Sequence, residues 1–282
     1  MQLTKFLKSL FLVFALISLY FAGNVLAEDD AEAEADAIPS TLLEAVVADD
    51  LLGIRQALRD GSNIDTTNVN GWSAAIFAVT SGHIRSLHAV INAGIDLNQA
   101  NNEGKTPLMY AAQQGDKEIV EVLLAGNADP SHANAEGVSA YDLAIESGRP
   151  LVAHMIAEAC ILRGIYNNNP ELISLSVKRG AYVNVPTPAG WTALIYAASN
   201  NNLLLAKELL AKKADMNRAE NDGWTPLHFA AHNGYKDIAD LLLVNGANYN
   251  YFSNDNKLPK DLAREAGFAE IVDMIPDADQ DL

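Results

Sequence analysis

The chain has 282 residues, 19 of them basic and 36 acidic, for a formal charge of −17 at pH 7. That balance argues against nucleic acid and anionic membrane surfaces as partners, because both would be repelled. A single cysteine, Cys160, excludes an intramolecular disulfide framework, and the length suits one long repeat array or two compact domains.

In chain order, Lys5 and Lys8 precede an apolar run from Leu10 to Ala22, and Val25-Leu26-Ala27 places small residues where a signal peptidase reads. Residues 1–27 are therefore expected to be a cleaved secretory signal peptide, with an uncleaved anchor as the alternative. The run is short for a membrane span, so no membrane insertion is expected after cleavage. A lipoprotein would need a cysteine at the cleavage point, and Cys160 is far from it. The chain has no Asn-X-Ser/Thr acceptor, which leans towards a bacterial periplasm. The expected location is periplasmic or secreted. Cleavage removes two lysines and no acids, leaving 17 basic and 36 acidic residues and a charge of −19. Residues 28–40 begin acidic and alanine-rich and read as a disordered tether, and 277–282 as a frayed acidic tail.

Between them, residues 41–276 read as short helix pairs. Thr41–Ile64 carries Leu42, Leu43, Ala45 and Val46, then Leu51, Leu52, Ile54, Ala57 and Leu58, and reads as a capping unit. Asn70–Asn102 and Glu103–Ala135 are the second and third units, and the fourth begins at Glu136-Gly137. The fifth closes with Val177-Lys178-Arg179-Gly180, and the sixth spans about Thr187–Glu220. The seventh, Asp222–Asn250, shows the logic most fully. Thr225 suits an N-cap whose hydroxyl accepts from the first turn, and Pro226 suits the first helical position. Leu227, Ala230 and Ala231 make a narrow apolar face, and Asn233-Gly234 ends the helix. Ile238, Ala239, Leu241, Leu242 and Leu243 carry a second helix that Gly246 stops, and Ser253–Pro276 reads as a final cap.

The step between units is fixed. Gly71, Gly104 and Gly137 lie 33 residues apart, as do Gly190 and Gly223. Gly61, Gly94 and Asn127 form a second ladder, and Gly180, Lys213 and Gly246 a third. With Thr225-Pro226-Leu227-His228, the similar Thr106-Pro107-Leu108-Met109, and weaker versions at Thr192-Ala193-Leu194-Ile195 and Ser73-Ala74-Ala75-Ile76, the chain resembles the ankyrin-repeat family from Thr41 to Pro276. The resemblance implies an all-α solenoid of about eight helix-turn-helix repeats with short β-hairpin arms. One interval breaks the rhythm: Gly137 to Gly190 is 53 residues where two periods need 66. Pro150 and Pro170 both align with Lys117, and Leu151, Val152, Met155, Ile156, Ala159, Cys160, Leu162 and Ile165 keep helical spacing between them. The arm between repeats four and five is expected to be missing, with its flanking helices fused near 153–166, and the notch is a landmark for a partner.

No catalytic, metal or cofactor site emerges. The sequence has no Gly-X-Ser-X-Gly, no His-Glu-X-X-His, no phosphate-cradling glycine loop and no paired-cysteine site. His228 and His232 are four apart, a spacing able to bind metal, but no third ligand is evident. The resemblance makes His228 the motif histidine that ties loop geometry. Cys160 reads as a packed core thiol.

The stronger signal is aromatic. Trp72, Trp191 and Trp224 all follow an arm glycine, which places them on one edge, either packed on the arms or at an interface. The expected partner-binding surface comprises these tryptophans with Asn102, Glu103, Lys105, Glu136, Val138, Asn221 and Asp222 at the arm tips. The first-helix ends add Gln113, Gln114, Asn200, Asn201, His232 and Asn233, positions that vary on the family's concave face. Tyr249, Tyr251 and Phe252 form a second aromatic group on the last arm. The expected function is a monomeric, non-catalytic interaction module that binds a protein partner in the periplasm, with stress protection as a role the resemblance allows. An immunity or inhibitor protein against a secreted toxin is the alternative, and an enzyme the remote one.

Overall fold

The computed structural model describes residues 41–277. The expected signal peptide 1–27, the tether 28–40 and the tail beyond Asp277 lie outside the described residues. In chain order, α1 (Thr41–Val47) pairs with α2 (Leu51–Arg59), α3 (Ala74–Thr80) with α4 (Ile84–Asn92), and α5 (Pro107–Gln114) with α6 (Lys117–Ala125). Next, α7 (Ala140–Glu146) leads into the long α8 (Pro150–Tyr166), which leads into α9 (Pro170–Lys178). The pairs α10 (Ala193–Ser199) with α11 (Leu203–Ala211), α12 (Pro226–Asn233) with α13 (Lys236–Val244), and α14 (Pro259–Glu265) with α15 (Ala269–Met274) complete the array. These 15 helices make eight pairs because α8 serves in two of them.

Local chemistry sets the boundaries. The first helices open on hydroxyl caps: Ser73 Oγ accepts from Ile76 N–H at 3.4 Å, and Thr192 Oγ1 from Ile195 N–H at 3.3 Å. Asn127 and Lys213 follow their helices at φ 71° and 63°, the left-handed conformation that elsewhere falls to glycine. First helices then stack side by side, α1 on α3, α3 on α5, α5 on α7, α10 on α12 and α12 on α14. Ala111, Ala112, Ala197, Ala198, Ala230 and Ala231 sit fully buried in those contacts, so the backbones approach closely. Among the described residues, the arms contain isolated bridges (Thr67 with Ser73, Ala133 with Ser139) and no longer strand. Each arm turns back after four residues, too soon for a ladder.

The interval with the short spacing is the single helix α8, 17 residues long. Two apolar clusters meet on it. Val152, Ala153, Ile156 and Cys160 belong to the first, and Ala157 and Ile161 to the second. Two clusters on one helix leave it little polar face, unlike the one-sided α6 or α13. Polar contacts pin the seam. Both Asp142 carboxylate oxygens lie 3.2 Å from Arg179 Nη2, whose guanidinium stands 4.6 Å over the Tyr141 ring. The Tyr141 hydroxyl donates to the Arg179 carbonyl at 2.9 Å, and Arg163 pairs with Asp129 at 3.1 Å. Burial raises the Asp142 carboxyl, but the hydrogen bonds from Ser139 and then the Arg179 charge outweigh it, so its pKa falls below the ordinary value.

Gly164 lets α8 meet α9. It takes the place that Ala111 and Ala230 hold six residues before the next helix. A Cβ there would stand 2.6 Å from Ile173 Cγ1 and 3.0 Å from the Asn169 carbonyl oxygen. At an open helical site Gly→Ala gains roughly 1 kcal/mol. Gly164→Ala is expected instead to lower unfolding free energy by about 1–3 kcal/mol through overpacking. Urea midpoints test this, and a raised midpoint would show that the contact has room.

Candidate functional site

The arm tips are built by side-chain capping of the backbone. Asn68 Oδ1 accepts from Asn70 N–H at 3.0 Å and Trp72 N–H at 2.9 Å. Asn101 and Asn134 repeat both bonds, at 3.1 and 2.9 Å in each case. Thr187, Glu220 and Ser253 each accept from the residue four on, at 3.1, 2.9 and 3.2 Å. This position escaped sequence analysis. Its signal was a side-chain oxygen at every arm start.

Asparagines also bind arm to arm. Asn102 donates its backbone N–H to the Asn70 carbonyl at 3.1 Å and its Nδ2–H to the Val69 carbonyl at 3.0 Å. Asn221 makes the same pair to Ala189 and Pro188, both at 3.1 Å. Asn254, which sequence analysis did not single out, makes it to Asp222 at 3.0 Å and Asn221 at 2.8 Å. Two residues expected to face a partner, Asn102 and Asn221, thus spend their amide N–H groups on the preceding arm.

The three tryptophans are half-buried wedges. Trp72 lies 5.3 Å from both Phe77 and Tyr110, the aromatic residues of its own and the following first helix. Trp191 lies 5.0 Å from Phe229 of the following helix. Trp224 lies 5.1 Å from Phe229 and 5.2 Å from His232. Lys105 takes the tryptophan position in the third repeat, with Nζ 5.7 Å over the Tyr110 ring and 3.1 Å from Glu103. Val138 takes it in the fourth and is half-buried. Glu103, Glu136 and Asp222 stand exposed at the tips, and Gln113, Gln114, Asn200, Asn201, His232 and Asn233 stand exposed at the helix ends. Some of the latter also serve the backbone: Gln114 donates to the Thr80 carbonyl at 3.1 Å, Asn200 to Tyr196 at 3.0 Å and Asn233 to Phe229 at 2.9 Å. In the second aromatic group, Tyr251 and Phe252 are 36% and 52% exposed, while Tyr249 packs against the core.

His228 is fully buried and both its nitrogens are engaged. Nδ1 lies 3.2 Å from the Thr225 N–H nitrogen and 2.8 Å from its hydroxyl, and Nε2 lies 3.2 Å from the Lys257 carbonyl. The Thr225 hydroxyl therefore meets the imidazole within a capping box, in which it also faces the first-turn backbone as the sequence suggested. Acceptance at Nδ1 leaves the proton on Nε2, a neutral ring. Among the described residues, no group of three His, Cys, Asp or Glu side chains could hold a metal ion. Burial pushes the Cys160 thiol up to about 12, far from a nucleophile's range. No helix of the described residues is long and apolar enough to cross a membrane.

A family model for ankyrin repeats, three copies long, matches residues 42–134 and again 158–253, about two-thirds of the chain. The chain belongs to the ankyrin-repeat family. The unmatched stretch between the two segments, 135–157, holds α7 and the first half of α8. The crystal structure of the human ASB11 ankyrin repeat domain is similar at 22% identity and a TM-score of 0.39, over 84% of this chain and 98% of that one. Comparison with curated proteins finds no match.

In this ankyrin array the motif histidine couples stability to pH. Burial lowers the His228 pKa from 6.5 to about 4. The unfolded chain then binds the proton first, so stability contributed by the neutral ring is complete above pH 6.5 and is lost as pH falls towards 4. The variant His228→Met borrows the residue of the equivalent Met109, whose sulfur lies 3.4 Å from the Thr106 N–H nitrogen. Between neutral pH and pH 4, the native protein is expected to lose about 3 kcal/mol more than this variant. Parallel pH dependences would show that His228 does not titrate as described.

Proposed function

We propose that the protein is a non-catalytic interaction module of the periplasm that holds a protein partner against its arm tips and first-helix ends. One observation carries this reading: Glu103, Glu136 and Asp222 stand exposed on arms whose turns are closed by side-chain hydrogen bonds. Such a row is rigid before binding, so little ordering entropy is lost on association. Its carboxylates favour a basic face on the partner. A complex of ordinary size buries about 1,600 Å² in total, within the span of three or four repeats. The amino-terminal pattern of Lys5, Lys8 and the Leu10–Ala22 run supports export.

The tryptophans are unsuitable probes, because shortening them removes wedges from the fold. The exposed acids are better. Mature protein (residues 28–282) and a Glu103→Lys/Glu136→Lys/Asp222→Lys variant with unchanged circular dichroism are each to be added to periplasmic extract. The native protein is expected to capture one partner, and the variant to bind it at least about tenfold more weakly through like-charge repulsion. Equal capture by both would remove the arm tips from the interface. Saturable turnover of a substrate by the pure protein would refute the non-catalytic reading.

A further inference from the structure

The arms normally touch. A Cβ on Gly71 would meet Asn102 of the next arm, one on Gly104 would meet Asn134, one on Gly190 would meet Asn221, and one on Gly223 would meet Asn254. A Cβ on Gly137 would meet nothing within 4 Å. This arm faces the interval where α8 replaces the missing hairpin. Its vacancy has a defined chemistry. In three other arms, two successive carbonyls accept the paired N–H groups of one asparagine: Val69 and Asn70, Pro188 and Ala189, Asn221 and Asp222. The matching carbonyls here belong to Ala135 and Glu136, and neither accepts a hydrogen bond among the described residues. Those of Asn102 and Glu103 also accept none, because Ala135 holds the asparagine place on the arm that covers Gly104, so the empty position beside Gly137 is what sets this arm apart. On the next arm the asparagine place is held by Pro188, 33 residues before Asn221, which has no N–H to donate. The opening extends along α7. Ile145 is 50% exposed, whereas its counterparts Val79, Ala112, Ala198 and Ala231 are all 0% exposed.

We propose that this vacancy is a receptor for a β-turn of the partner protein, one that carries asparagine at its tip and enters as the missing arm. The inference rests on the interaction-module reading and names the contact. The turn's asparagine donates its backbone N–H to the Glu136 carbonyl and its amide N–H to that of Ala135, as Asn102 does to Asn70 and Val69. The exposed Glu136 carboxylate, which has no ion pair among the described residues, favours a turn of net positive charge. The geometry of arm on arm, already used on both sides of the gap, supplies the fit.

The chain's own last arm provides a probe. A cyclised peptide of residues 250–260 carries Asn254, two lysines and one aspartate. It is to be titrated into protein expressed from the full chain and followed by amide NMR, beside the same peptide with Asn254→Ala. Saturable shifts at Glu136, Gly137 and Val138 are expected, weakened roughly fivefold for the alanine peptide by loss of one hydrogen bond. Equal binding of the two peptides would overturn the asparagine pairing. Shifts confined to helix-end residues such as Gln113 and Asn200 would overturn the vacancy as the site and leave the interaction reading standing. No saturable shift from either peptide would also overturn the proposal. The interaction reading itself stands or falls separately, on capture of the partner by the native protein and not by the charge-reversed one.

Discussion

Burial of each helix pair against its neighbours carries this array, because its helices, all of six to nine residues except the 17-residue α8, are marginal alone in water. Every repeat therefore depends on the next, and a missing piece cannot simply be left out. Where the arm is lost, α8 must finish one repeat and begin another without a turn. It does so by being apolar towards both sides: Val152, Ile156 and Cys160 lie four apart on one stripe, and Ala157 and Ile161 on the adjoining one. A helix built this way holds two cores together but cannot restore the close contact between regular first helices. Ion pairs and a cation–π contact fill that role. Arg179 reaches Asp142 and Tyr141, and Arg163 reaches Asp129, across the seam.

The asparagine and aspartate side chains solve a second problem. Loops that turn sharply strand backbone N–H groups, and each must find a partner. One ladder closes the arm tips, and a second runs along the arm bases. There Asp65 accepts from Asp96 N–H at 2.9 Å, Asn98 from Asp129 at 2.6 Å, Asn184 from Asp215 at 2.8 Å and Asn217 from Asn248 at 2.7 Å. Each bond links one repeat to the following one. Asn250 is the next rung, and its Oδ1 is buried without a partner. The ladder ends there because, among the described residues, no further repeat supplies the donor. Much of the polar composition that looked available for recognition is thus committed to the main chain.

This explains which features were legible in the sequence. The 33-residue step, the hydroxyl caps, and the left-handed positions of Asn127 and Lys213 are local, and each repeats in register. The Arg179–Asp142 and Arg179–Tyr141 contacts were not legible. They span 37 and 38 residues, a separation that no periodic argument supplies once the arm is gone. The role of the tryptophans was half legible. Their common register was plain, but the aromatic residues that receive them come from two helices, as Phe77 and Tyr110 do for Trp72. Packing of that kind depends on the distance between repeats, which the sequence pattern alone does not give.

A perfectly regular array presents nearly equivalent surfaces at every step of 33 residues, so a partner has several registers of similar energy. Specificity is a difference between such energies, and it needs features that penalise the wrong register. The seam is the feature of the described array that no shift by one repeat reproduces. Gly137 faces an empty position, Ile145 is uncovered, and Pro188 withholds the donor that an ordinary arm would offer. At the tips Glu103, Glu136 and Asp222 repeat one chemistry, with Asn70 and Ala189 in the same place on two other arms. On these grounds the acidic row suits attraction and first encounter, and the seam suits the choice of register. A partner that engages both is fixed along the array by the same deletion that forced α8 to serve two repeats.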